Sequence, residues 1–238
     1  MSRSTRAVVT AALAALVAVA AYLGEVPLVA TSAVLALAFA AGWPSLVELP
    51  WPAGATAVLA IVGLGSVAAV LGDQGLAFLP FVAAGGLILS FVREMLRRDG
   101  RMRLVESLSG TVGGVFVVLS ASGWVAVYSG EGIVVCAAAT LAAASAVAAA
   151  LPWRGWANVG LTVGVAVGVG GALGTVLPQV DVAQGLWLGA TAGILAASFH
   201  VMFERLPQSQ TRTGGLAAAL VPVLVGGMLV HVVASIVV

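Results

Sequence analysis

Residues 75–119 read GLAFLPFVAAGGLILSFVREMLRRDGRMRLVESLSGTVGGVFVVL, and this stretch decides the fold. Residues 75–92 carry no charge, residues 93–103 hold five arginines, and the chain then turns apolar again. About 20 apolar residues, at about 1.5 Å of rise each, cross the hydrocarbon core of a bilayer. The stretch therefore predicts two membrane-crossing helices joined by a basic loop. The apolar runs are continuous, where a transmembrane barrel would alternate with period two. Inside a bilayer only helices and closed barrels satisfy their own backbone, so the helix remains.

The same pattern repeats along the chain. Hydrophobic residues make up 61% of the 238, charged residues 8%, and mean hydropathy is +1.15. A soluble domain has about a quarter of its residues charged. Nine spans are expected, at roughly 7–24, 27–43, 53–71, 75–92, 104–127, 132–151, 156–177, 184–203 and 214–236, in one all-α integral membrane domain. Gly, Pro and short polar residues separate them, as in Gly24-Glu25-Val26-Pro27 and Pro50-Trp51-Pro52, which is what turns require.

Arginine orients the bundle. All ten basic residues are Arg, at 3, 6, 93, 97, 98, 101, 103, 154, 205 and 212, and alternate loops hold every one of them. The other loops hold Glu25, Asp73, Glu131 and Asp181 and no Arg. The positive-inside pattern predicts a cytoplasmic amino terminus. A competing reading makes Arg3, Arg6 and the run to Ala20 a cleaved signal peptide, leaving eight spans; the run is long enough to span by itself. Arg-only basicity with abundant Ala, Val and Gly points to a GC-rich bacterial source, hence a plasma (inner) membrane. A net charge of +1 without a long basic run argues against nucleic acid as a partner.

Packing signals are small residues and proline. In span seven Gly160, Gly164 and Gly168 form a stripe at spacing four, expected to be crossed tightly by a neighbour. Gly85-Gly86 and Gly110, Gly113 and Gly114 suggest the same for spans four and five. Pro80 and Pro222 are expected to kink spans four and nine. Trp43, Trp51, Trp124, Trp153, Trp156 and Trp187 fall near span ends and are expected to anchor at the headgroups. The lone Cys136 forms no internal disulfide and reads as a packed thiol.

Ionisable residues inside spans mark function, and here they are scarce. The densest polar region is the arginine loop and the start of span five. Span four is expected to continue as a helix to about Arg98, with Glu94 pairing with Arg97 or Arg98. Asp99-Gly100 turns the chain, and Glu106 needs an arginine partner. Two readings stand. In one, the loop sets topology, pairs its acids locally and meets anionic headgroups. In the other, Arg97, Arg98, Arg101 and Arg103 bind a phosphate, with Glu106, Ser107, Ser109 and Thr111 lining a polar patch. His200 and Glu204, four apart, could form one face of a site, though metal binding wants three or four ligands. His231 is expected to hydrogen-bond across helices near the outside. No catalytic centre, metal or cofactor is expected.

Gly72-Asp73-Gln74-Gly75-Leu76-Ala77-Phe78 and Ser107-Leu108-Ser109-Gly110-Thr111-Val112-Gly113-Gly114 resemble, in order, two segments of the phosphatidate cytidylyltransferase superfamily. That resemblance implies a membrane-embedded transferase acting on a lipid phosphate. The family's glutamate position is Ser109 here, and its carboxy-terminal aspartates have no counterpart, so no catalytic role carries over. The leading expectation is a permease-like protein handling a lipid or small solute, without an enzymatic centre. The alternatives are an accessory subunit of an envelope complex, meeting a membrane partner or its own copy, and the transferase.

Overall fold

A computed structural model describes residues 1–72, 75–98, 102–128, 131–150 and 156–237, with Arg3, Glu131 and Val237 described by backbone alone. Expectations for Asp73, the Asp99-Gly100 turn, Arg101, Trp153 and Arg154 lie outside the described residues, as does the side chain of Glu131. Among the described residues there are helices and no strands: α1 Arg3–Leu23, α2 Glu25–Leu46, α3 Pro52–Val70, α4 Leu79–Leu96, α5 Leu104–Leu119, α6 Ser122–Ala126, α7 Glu131–Ala150, α8 Trp156–Val176, α9 Val182–Glu204 and α10 Arg212–Val237. Among the described residues, nine stretches are long and apolar enough to cross a membrane, the fourth including a 3₁₀ turn at Gly75–Phe78 and the fifth combining α5 with α6. This is the architecture of a multi-pass membrane protein.

Contacts at the helix ends join described residues belonging to the same set of ends. Arg6 donates to the Phe203 carbonyl at 3.3 Å, and Arg103 to the Glu48 carbonyl at 3.3 Å, both on the arginine face. On the opposite, acidic face, the Gly132 amide donates to Gln179 Oε1 at 2.8 Å. The most buried span is α10, which packs on α1, α2, α6, α7 and α9, whereas α4 and α8 are the most exposed.

Several expectations are corrected. Pro80 does not kink a helix: it sits in the first turn of α4, where an amide would have no intrahelical partner anyway. α4 stops at Leu96, short of Arg98, because Arg97 turns to extended backbone (φ −68°, ψ 135°). α2 runs through Pro44 to Leu46. Span five breaks after Leu119, where Ser120 and Ser122 bond back to the Phe116 and Leu119 carbonyls. The break sets Gly123 directly on Gly227 of α10: a Cβ there would lie 2.3 Å from the Gly227 carbonyl carbon. Trp124 is therefore no interfacial anchor. It is 1% exposed and donates from Nε1 to the Val223 carbonyl at 2.8 Å. Trp156 and Trp187 do stand exposed.

The α8 stripe also faces away from its expected partner. Nothing lies within 4 Å of a Cβ built on Gly160, Gly164 or Gly168. The tight contact uses the other face, where Gly170 and Ala166 meet Gly185 and Gly189 of α9. A Cβ on Gly185 would lie 2.1 Å from the Gly170 carbonyl oxygen. Only a facing stripe of small residues lets two backbones approach so closely, and α9 supplies it with Gly185, Gly189 and Gly193. Gly86, Gly110 and Gly114 are packed tightly against neighbours; Gly85 is open.

Candidate functional site

The last turn of α4 carries Arg93 and Glu94, and Arg97, the residue that ends the helix, folds back beside them. Successive turns of α5 stack Ser107 below Thr111, which hydrogen-bonds the Ser107 carbonyl at 2.8 Å. These five side chains are buried together against the start of α3. Glu94 is 1% exposed and is the hub. It receives Arg93 at 2.9 Å, Arg97 at 2.7 Å and the Ser107 hydroxyl at 2.6 Å. Arg93 also donates to Thr111 Oγ1 at 2.7 Å and to the Trp51 carbonyl at 2.9 Å, and its guanidinium lies 5.7 Å from the Trp51 ring. Arg97 reaches the Met102 carbonyl at 3.1 Å, tying the loop down. Arg93 Nε is buried without a partner among the described residues. Charges taken out of water are tolerated only when paired and hydrogen-bonded. This network pairs the three helices at their arginine-face ends.

The polar patch expected from the sequence therefore divides. Arg97, Ser107 and Thr111 come together, joined by Arg93, Glu94 and Trp51, which the sequence reading did not place in a site. Arg98 is exposed. Arg103 and Glu106 pair with each other on the surface, both more than half exposed. Ser109 is exposed and bonds back to the Glu106 carbonyl at 3.3 Å. The signal for the missed members was available. Arg93 and Glu94 adjoin the arginine loop at the end of α4, and Ser107 lies four residues before Thr111 within α5, so that pair shares a helix face.

His200 and Glu204 are elsewhere, because α9 packs on α7, α8 and α10. His200 Nε2 lies 3.2 Å from Glu204 Oε1. The pair borders a recess of about 220 Å³ with Asn158 and Arg205. His200 also lines a small cavity of about 30 Å³ with Arg6, Thr10, Ser145 and Pro222, enough for about one water. Pro222 has no amide, so the Ala218 carbonyl in this wall lacks its helical donor. Ser145 Oγ is buried without a partner among the described residues. A third recess on this face, about 320 Å³, lies between Trp43, Phe199 and Val221.

On the acidic face a cleft of about 580 Å³ opens between the start of α2, the end of α3, α6 and α10. Glu25, Tyr128 and His231 are its polar lining, and Val70, Leu76 and Val125 are among its apolar walls. Among the described residues no three of His, Cys, Asp and Glu gather to hold a metal ion. No protein family, curated protein or solved structure matches the chain.

Proposed function

We propose that the chain is a permease-like carrier of a small solute in the cell's plasma membrane, with a path that follows α10. One observation carries this reading: cavities open toward α10 from both faces, and a packed barrier separates them. Pro222 lines the inner cavity and His231 the outer cleft, about 13 Å apart along the helix at 1.5 Å per residue. Between them Leu224 is fully buried, and Gly226 and Gly227 pack against Trp124. The Pro222 gap in the hydrogen-bond ladder supplies a place where α10 bends to open the barrier.

Osmotic swelling of proteoliposomes in a panel of neutral, cationic and anionic solutes tests the proposal. At least one solute should enter faster than into protein-free vesicles, and Gly227→Leu should abolish the difference. No acceleration for any solute, in protein whose Cys136 stays protected, would reject it. A second reading, a subunit of a larger membrane assembly, is favoured by the open Gly160–Gly164–Gly168 stripe on the exposed α8. Disulfide cross-linking of Gly164→Cys in native membranes, into a dimer or onto a stoichiometric partner, would support that reading over the carrier.

A further inference from the structure

We propose that the cleft on the acidic face binds a primary ammonium group carried on an apolar body. Its volume, about 580 Å³, lies within the range of small-molecule sites, which pair mostly apolar walls with a few polar groups. Glu25 stands in the first turn of α2 with its side chain exposed, and Tyr128 and His231 are half-buried in the same cleft. Among the described residues, the loops of this face carry Glu25 and Asp181 and no arginine. An anion would meet only like charge here; a cation meets its complement.

The kind of cation follows from the donor set. Among the described residues, one carboxylate, one imidazole and one phenol are too few hard ligands to enclose a divalent metal. An ammonium, with three N–H donors, needs only two or three acceptors around it. The walls of Val70, Leu71, Leu76 and Val125 then cover the apolar part of the ligand. Glu25 also complements the amino end of α2, but that role accounts for neither the cleft nor the His231 and Tyr128 lining. Such a group occurs on free amines and on the aminoethyl headgroup of phospholipids. Binding requires no transport step, so this inference stands or falls apart from the carrier reading.

Calorimetry on the full chain in nanodiscs of phosphatidylglycerol alone tests it, with phenethylammonium as probe and 2-phenylethanol as its neutral counterpart. The ammonium should bind and the alcohol should bind at least ten-fold more weakly. Glu25→Gln should weaken the ammonium by about ten-fold or more, the loss of one charge-assisted hydrogen bond. Asp181→Asn removes the same charge from the same face and leaves a residue able to cap α9, so it should change binding by less than about two-fold once salt screens distant charges. Adding phosphatidylethanolamine to the discs separates the sources. Competition identifies the lipid headgroup as occupant, and unchanged affinity identifies a free amine. Equal binding of the alcohol, an unaffected Glu25→Gln variant, or no binding in phosphatidylglycerol discs would overturn the proposal.

Discussion

Replacing Glu94 by Gln keeps the side chain's shape and removes the only carboxylate that contacts both Arg93 and Arg97 among the described residues. One oxygen remains as an acceptor, while the new amide presents hydrogens to donors that already occupy the site. Arg93 and Arg97 are 3% and 6% exposed, so water cannot take over from the lost charge. Removing one member of a buried ion pair costs about 3–5 kcal/mol. At about 2–4 °C per kcal/mol for a chain of this size, the unfolding midpoint in detergent should fall by roughly 6–20 °C. Glu106→Gln is the internal standard, because its pair with Arg103 is exposed and worth about 1 kcal/mol or less. Adding Arg97→Met to Glu94→Gln removes one uncompensated cation, so the double variant should lose less than the sum of the singles. A Glu94→Gln midpoint no lower than that of Glu106→Gln would refute the account of the cluster.

Three further outcomes are expected from thermal unfolding and labelling. Gly185→Ala should destabilise by about 1–3 kcal/mol or more, since its Cβ would strike the Gly170 carbonyl, whereas Gly164→Ala should be neutral or gain up to about 1 kcal/mol of helix propensity. Ser32→Ala should stabilise by about 1 kcal/mol, because the Ser32 hydroxyl is buried without a partner among the described residues and an unsatisfied buried group carries a penalty of that order. Cys136 is fully buried, so maleimide should leave it unmodified in folded protein and label it in denaturant; labelling at equal rates would contradict the packing around α7.

The sequence by itself determined the class of fold, the number and rough limits of the spans, and the segregation of arginine to one face. These follow from the cost of placing polar backbone and charge in hydrocarbon, a cost each segment meets on its own. It also placed the partner of Glu94 at Arg97 or Arg98 and that of Glu106 among the loop arginines; the structure selects Arg97 and Arg103. Only the tertiary structure decided which apolar face of each helix meets protein. Lipid and a neighbouring helix are equally apolar, so hydropathy is silent about the choice, and α8 carries glycines on two faces. The matching stripe on α9 selected Gly170 over Gly164. The burial of Trp124 likewise depended on Gly227, far along the chain, leaving room for the α6 backbone. Glu25, Tyr128 and His231 share a cleft for the same reason: segments distant in sequence are brought to one place by packing that no single segment encodes.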